Sequence, residues 1–456
     1  MNRTHTDAAS ANANAAPTDV RWVVFALACA TSFLLYLHRY SWQIVGPELQ
    51  KEFSFTNTQS AFLFSLFYYT YAGGQIPSGL IIDRFGPHRF LTAIVGAWSV
   101  ALIGIANTGN LVLLGFWWLI FGATQAGCYP SLTHLSQQWF PLQRRTMLQG
   151  WVATTFGRLG GAVSPIILGT LLMGVCGLRW QMALTVIAAA GLVHCIVFYA
   201  FFRDSPQLDP RVNDAERELI NAGTPEIDAT EYRPTMLSPK LALRNRSLKW
   251  FTVQQFLDAG SDVVFVSLIG TYFLIAHEFD IQKTGWLASL PLLGGALGGI
   301  VGGWLNDVSI RRTGNRRWSR SIVGCVGKVI GCGMLVLVIM QSDGVKAAWL
   351  LMAAKFFSDW SQPTTWGACT DLGGRFSATV FSIINTAGTF GGILMPIVFG
   401  VVLDAFTTIS VVDDTEVKMT NWNPLFGLLS AMYLTSGACW LMVDCTQRLQ
   451  TDKGKV

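Results

Sequence analysis

Apolar runs long enough to cross a lipid bilayer recur from one end of the chain to the other. They fall at 22–46, 58–82, 89–107, 111–139, 145–172, 180–202, 250–276, 285–306, 319–340, 347–367, 375–403 and 423–445. A bilayer core about 30 Å thick needs roughly 20 predominantly apolar residues in a helix rising about 1.5 Å per residue. Each run therefore predicts one spanning helix, and the longer runs predict tilt or extension past the bilayer. Helix is the expected form because lipid offers no partner to a backbone N–H or C=O. The polar stretches divide these runs. Residues 1–20 are rich in Ala, Asn and Thr with no apolar block, which reads as a disordered tail rather than a secretory signal. The segment 203–248 is the only long polar insertion and leaves six spans on either side. Within it, Asp214, Glu216, Arg217 and Glu218 lie on a short amphipathic helical turn from Val212 to Ile220, expected to be solvated on the membrane surface. The expected organisation is a tail at 1–20, a bundle at 21–203, a linker at 204–248, a second bundle at 249–446 and a tail at 447–456.

Composition agrees with this pattern. Of 456 residues, 51% are hydrophobic and only 13% charged, where a soluble enzyme carries about a quarter charged. The net charge of +5 does not imply nucleic acid, because the cations cluster in short loops. Arg84 and Arg89, Arg144 and Arg145, the block from Arg203 to Lys249, and Arg311, Arg312, Arg316, Arg317 and Arg320 share one side. Lys51, Arg179, Lys283, Lys346 and Lys418 are scattered on the other. The positive-inside rule places the first group, with both termini, in the cytosol. The nine cysteines lie mostly inside apolar runs and form no metal-type pair, so they read as small core residues.

One loop organises the rest. Gly73-Gly74-Gln75-Ile76-Pro77-Ser78-Gly79-Leu80-Ile81-Ile82-Asp83-Arg84-Phe85-Gly86-Pro87-His88-Arg89 closes the second run and opens the third. Its pattern Gly79-x-x-x-Asp83-Arg84-x-Gly86-x-x-Arg89 resembles the signature loop of the major facilitator superfamily. The pattern repeats in the second half as Gly303-Trp304-Leu305-Asn306-Asp307, followed by Arg311 and Arg312. Two parallel six-helix repeats around a midplane site are the architecture of facilitator-type transporters. The expected fold class is an all-α membrane protein of twelve transmembrane helices in two six-helix pseudo-symmetric bundles. Within the superfamily the chain is most similar to the anion:cation symporter family, through Tyr36 to Phe53, Phe64 to Leu91, Gly122 to Pro141, Asp204 to Ile220 and Gln362 to Asp404. Asp204-Ser205-Pro206 with Pro210 and Glu216 carries the narrower likeness. That family usually has an acid before the first-helix arginine, and here His38 precedes Arg39. Its fourth helix usually carries an arginine and, seven residues on, a glutamate; here these are Trp118 and Gln125. The family's carboxylates take part in proton coupling, so the resemblance implies transport more firmly than it implies proton symport.

Ionisable groups inside spans carry the most information, since each costs at least about 2.5–3.5 kcal/mol to bury. Family positioning lets Arg39 grip a carboxylate bidentately, or else it pairs with an acid elsewhere in the bundle. His38 is one proton from being a cation, and either replaces the missing acid or simply hydrogen-bonds. Arg158 falls roughly 18 Å into the fifth span, near the midplane, as a second anion grip or an internal salt-bridge partner. Asp258 and Asp262 are four apart in the seventh span and share a face. Two carboxylates close together in low dielectric favour keeping a proton, unless they pair with Arg39, Arg158 or Lys355. Lys355 and Asp359 are likewise four apart and are expected to pair within their helix. Lys328 and His194 lie on spans that in this architecture stand outside the cavity, and both are expected to be structural. Gln125, Tyr68, Tyr69, Trp366 and Asn385 supply hydrogen bonds and ring faces suited to a sugar acid, although any single Trp also serves as an interface anchor. Asp83, Arg84 and Arg89, with Asp307, Arg311 and Arg312, sit at the cytosolic rim, where charges pair with another bundle or a helix terminus in one state and release in the other.

No nucleotide loop, metal constellation or nucleophile–base spacing occurs in the chain, so neither cofactor nor enzymatic reaction is expected. The leading expectation is a secondary active transporter in the cytoplasmic membrane. It moves a small organic anion, a carboxylate or sugar acid, by alternating access with a proton or sodium ion, as a monomer embedded in lipid. An uncoupled facilitator or exchanger for a sugar-like solute, and a non-transporting sensor on the same fold, are the alternatives.

Overall fold

The computed structural model describes residues 16–53, 57–222, 237–279, 281–412 and 415–449. Contacts divide the chain into two compact units. One ends at Leu237 and also takes in Gly373–Ser382; the other runs Ser238–Leu372 and resumes at Ile383.

In the first unit the first pass is Val20–Tyr40, continued past Ser41 by Trp42–Glu52. Asn57–Phe85, Pro87–Ala106 and the broken helix Leu111–Gln125 with Cys128–Trp139 follow. The fifth pass runs from Arg145 to Val175, with Trp151–Phe156 and Ile166–Val175 wound as π-helix. The sixth is Trp180–Phe201. The remaining six passes are Arg246–Ser267 with Ile269–Ala276, Ile281–Thr313, Arg316–Ile339, Gly344–Ser358 with Ser361–Gly373, Ser377–Ala405, and Asn423–Met442. Among the described residues nine helices are long and apolar enough to cross a membrane, one of them the continuous run Gly344–Ala405. The all-α class expected holds, with one small addition. Between the last two passes, β1 (Thr407–Val412) pairs antiparallel with β2 (Thr415–Thr420). Both segments are rich in β-branched residues, which favour strand.

Small residues let these helices approach closely, as expected where lipid removes any hydrophobic drive between them. A Cβ on Gly160 would fall on the carbonyl oxygen of Phe33, so the fifth pass lies directly against the first. In the second unit Gly294, Gly298 and Gly302 repeat every fourth residue. Each lies against tenth-pass backbone, at Met352, Phe356 and Trp360 respectively.

The segment after the sixth pass is solvated on one face only: Asp214 and Glu218 are exposed, whereas Glu216 departs from the sequence expectation. Glu216, on the helix Asp214–Asn221, is fully buried. Its Oε2 accepts from Thr18 Oγ1 (2.5 Å) and Val20 N (3.1 Å), and its Oε1 from Arg21 N (2.9 Å) and Arg21 Nη1 (3.1 Å). Those amides are orphan donors of the first turn of the first pass, where the helix dipole also favours an anion. Asp204 acts alike, accepting from His88 N (2.7 Å) at the start of the third pass. Gly86 precedes that turn with φ +79°, and a Cβ there would press on the Asp204 carboxylate. Two acids of this segment thus cap two spans.

Glu216→Ala strands those donors. Hydrogen bonds to a charged group contribute about 1.5–3 kcal/mol each, so the variant is expected to unfold at a clearly lower temperature in a thermal-melting assay of purified protein. An unchanged melting curve would restore the solvated-helix reading.

Candidate functional site

In the first unit Arg39 ends the first helix and points into a box of aromatic rings. Its guanidinium carbon lies 4.6 Å from the ring centre of Tyr71, 5.0 Å from Phe67 and 5.3 Å from Tyr36. Arg39 Nε donates to Gln125 Oε1 at 2.9 Å, and Gln125 Nε2 donates to Leu35 O at 3.3 Å. Gln125 thus occupies the place of a counter-ion without being one. Arg39 Nη2 is buried and has no hydrogen-bond acceptor. No carboxylate among the described residues pairs with Arg39. Ring faces partly offset its charge, yet a desolvated guanidinium with an idle donor remains an anion receptor. Tyr40 lies within electrostatic range of both Arg39 and Arg158. Arg158 sits in the α-helical stretch Gly157–Pro165 between the two π-helical pieces, and π-turns within helices frequently mark functional positions.

The neighbouring expectations fare differently. Tyr68 turns toward Arg39, whereas Tyr69 is 62% exposed. Successive helical residues point about 100° apart, so Tyr69 does not share Tyr68's approach to Arg39. His38 is fully buried, about 100° around its helix from Arg39. Its Nε2 lies 2.9 Å from Ile187 O, and its Nδ1 accepts from Trp98 Nε1 at 3.1 Å. The neutral ring satisfies both bonds, and a second proton would break the one from Trp98. Of the two expectations for His38, these bonds match the hydrogen-bonding one. Trp118, at the usual arginine position, stacks on Phe121 and against Trp42. Trp366, buried, and Asn385, half-buried, belong to the second unit.

The second unit holds its ionisable groups in two linked knots. Lys328 Nζ bonds Asp258 Oδ1 and, at 2.7 Å, Ser358 Oγ. Asp258 Oδ2 accepts from Gln254 Nε2 and Ser361 Oγ, both at 3.2 Å. Lys355 Nζ bonds Asp262 Oδ1 at 2.5 Å and also Asp359 Oδ1. The intrahelical pairing of Lys355 with Asp359 is as expected. Lys328 is buried and paired, in line with the structural role expected of it. Gly327 and Gly331 bring the ninth pass onto backbone carbonyls of the tenth, so the lysine points into the unit. Asp258 and Asp262 consequently face one lysine each rather than one another.

At the rim, Asp83 Oδ1 accepts from Ala378 N (3.1 Å) and Oδ2 from Thr379 N (2.8 Å), with His134 Nδ1 at 3.3 Å. These amides open the eleventh helix, within the segment that packs with the first unit. Gly79 makes room: a Cβ there would meet Ala378 O and Thr379 Cα at 2.8 Å. In the repeat, buried Asp307 lies near Arg320, whose Nε donates to Asp371 Oδ2 at 2.6 Å and whose Nη1 donates to Asn306 Oδ1 at 3.1 Å. Arg320 reads in the sequence as one more loop cation, and only its four-residue offset from Arg316 into the helix distinguishes it. Arg84, Arg89, Arg311 and Arg312 are exposed and form no ion pair among the described residues. The rim contacts thus rest on the acids and on Arg320, not on these four arginines, whose exposed charge suits an anionic lipid surface.

Twelve helical passes in two repeats, with buried ions inside and carboxylates on helix ends at the rim, define a multi-pass membrane transporter rather than an enzyme. The family model of the Major Facilitator Superfamily matches residues 27–396, and the chain belongs to that family. It is 28% identical to the probable sulfoacetate transporter SauU of Cupriavidus necator, over 84% of this chain and 87% of that one. It is 26% identical to the probable galactarate/D-glucarate transporter GudP of Bacillus subtilis, over 88% and 89%. Against the D-galactonate transporter of Escherichia coli identity is 25%, over 85% and 90%. Among solved structures, the FucP transporter in its outward conformation superposes with a TM-score of 0.63 at 16% identity, over 93% of this chain and 97% of that one. A bacterial homologue of the iron transporter ferroportin gives 0.67 at 12% identity, over 92% and 98%. These two establish the shared fold.

Asp83→Asn replaces one acceptor with a donor facing a backbone N–H. It is expected to slow transport in proteoliposomes while leaving ligand affinity in detergent within a few-fold. Equal losses of binding and transport would contradict a purely conformational role.

Proposed function

We propose that the protein carries a small organic anion, a carboxylate or sulfonate of the sugar-acid size, across the cytoplasmic membrane by alternating access, coupled to a cation. The observation that carries this reading is Arg39: buried, ringed by aromatic faces, bound to a neutral glutamine and retaining a donor without an acceptor. A bound anion supplies the missing counter-charge, while Tyr36, Tyr68, Tyr71 and Gln125 offer hydroxyl and amide groups to a polyhydroxylated chain. Arg158 is the second grip in this unit. The names of the relatives, a sulfoacetate, a galactarate/D-glucarate and a D-galactonate transporter, support this substrate class. Asp83, Asp307 and the rim contacts set the conformational equilibrium. The loop charges support cytosolic termini and a cytosolic 204–248 segment. The protein acts as a monomer in this reading. His38 and Gln125 leave the first unit's site without an exchangeable carboxylate, so coupling falls to the second unit. An uncoupled exchanger is the reading that remains if it does not.

Galactarate, D-galactonate and sulfoacetate are the probes. For whichever binds wild-type protein in calorimetry, Arg39→Lys is expected to weaken binding about 10-fold or more, about 1.4 kcal/mol, because an ammonium cannot reproduce the two-pronged contact. Equal affinity removes Arg39 from the site.

Orientation is tested separately. A membrane-impermeant maleimide should label exposed Cys176 on intact cells. It should not label Lys240→Cys in a Cys176→Ser background until the membrane is opened. Labelling of the Lys240 position from outside would invert the topology.

A further inference from the structure

Asp83 has a third partner at the rim besides its two backbone amides. His134 lies on the helix Cys128–Trp139, and its Nδ1 is 3.3 Å from Asp83 Oδ1. The Asp83 side chain is fully buried and that of His134 is 6% exposed. The contact exists because the chain breaks between its tenth and eleventh passes. Gly374, at φ +52°, opens the short 3-10 turn Gly374–Phe376 ahead of the helix Ser377–Ala405. A break of this kind leaves first-turn amides without acceptors in their own helix. The hydroxyls closest in sequence do not serve them: Ser377 Oγ and Thr379 Oγ1 are buried without hydrogen-bond partners. Asp83, from the second pass, takes Ala378 N and Thr379 N instead.

A carboxylate held by two amides is still a buried anion, and His134 decides whether it also has a counter-ion. An imidazolium sets an N–H and a full charge against Asp83 Oδ1. The neutral ring sets an N–H there in one tautomer, a lone pair in the other, and a charge in neither. The other charged groups on the elements around His134 have partners of their own or face water. On the second pass Arg84 is exposed; on the third Arg89 is exposed and His88 Nε2 lies 2.9 Å from Tyr199 O. Arg21 on the first pass is bound to Glu216, and His38 and Arg39 stand at the other end of that helix. Arg145 of the fifth pass donates to Phe140 O and Gln137 O, and Arg375 lies 4.8 Å from the Phe376 ring centre. The histidine's own helix adds Cys128 and Tyr129, at its start.

Resting on the conformational role given to Asp83 above, we propose that His134 makes this rim contact pH-sensitive. Protonation of its ring tightens the hold of Asp83 on the start of the eleventh helix, and deprotonation loosens it. The proton comes from water and binds the ring nitrogen that the neutral tautomer leaves open; no other covalent bond changes. The closed contact binds that proton more tightly than the open one does. It is therefore strongest in acid and weakens as pH rises through the imidazole range, about pH 5 to 8. The first turn of the eleventh helix packs with the first unit through this contact. Acidification on the arginine-rich side of the membrane thus slows the step in which the contact opens.

Hydrogen–deuterium exchange on the purified full-length protein tests this without any ligand. The readout is the protection of the Ala378 and Thr379 amides, corrected for the pH dependence of intrinsic exchange. Wild type should lose protection on the order of 10-fold between about pH 5 and pH 8, the difference between a charged and a neutral hydrogen-bond partner. His134→Gln, which keeps a neutral N–H, should hold the low value throughout. His134→Arg, with its permanent charge, should hold the high one. The Val20 and Arg21 amides, capped by Glu216, should not respond. Constant protection in wild type, an undiminished slope in His134→Gln, or an equal slope at Val20 and Arg21 would overturn the proposal. So would a slope of opposite sign, which protonation of Asp83 itself would give. Should neither variant accumulate, the wild-type slope set against the Glu216-capped amides decides alone. No substrate enters the measurement, so a negative result refutes the role of His134 and leaves the Arg39 reading as it stands.

Discussion

Water is absent from most of the volume this chain occupies, and every charge buried there has to be matched. That constraint orders the interior. Arg320 is matched by Asp371 and Asn306, Lys328 by Asp258, and Lys355 by two aspartates. Against this background Arg39 is the exception. Its partners are ring faces, an amide oxygen and the side chain of Tyr71, and Nη2 donates to nothing. A structural arginine in lipid is expected to find a carboxylate. Arg39 has not done so, and the proposed function rests on that imbalance in the first unit.

The same economy governs the ends of the helices. Three carboxylates accept from backbone amides at helix starts: Asp83 at the eleventh, Asp204 at the third and Glu216 at the first. Each satisfies donors that the helix leaves open and meets the positive end of its dipole. The acids that give the signature loop and the post-sixth-span segment their family likeness are thus capping groups. Because such contacts are few, local and polar, they are the kind that a conformational change can break and remake without disturbing the apolar packing.

The sequence shows the fold well because the bilayer imposes one length and one polarity on every span. Twelve apolar runs and a repeated Gly-x-x-x-Asp motif suffice to order the passes and find the rim. Arg39 and Gln125 are also legible, through family position, and the structure joins them by a hydrogen bond. What was not legible depends on rotation and reach. Spacing alone does not say which of Tyr68 and Tyr69 approaches Arg39. Nor does it reveal that glycines in the ninth pass let Lys328 approach Asp258 and so separate two aspartates that share a helix face. Glu216 and Arg320 sit in charge-rich stretches, where one buried member looks like its solvated neighbours. The hairpin at 407–420 lies between two strong apolar runs, where its β-branched residues went unread.

The central claim, that a buried cation without a counter-ion selects an anionic solute, is tested most directly by comparing two molecules of one carbon skeleton. Galactarate carries a carboxylate at each end, and galactitol carries a neutral alcohol at each. Calorimetry on the purified wild-type protein, at one pH and one ionic strength, is predicted to show binding of galactarate and none of galactitol. Comparable affinity for both, or preference for galactitol, would contradict the claim and leave a sugar-alcohol facilitator in its place.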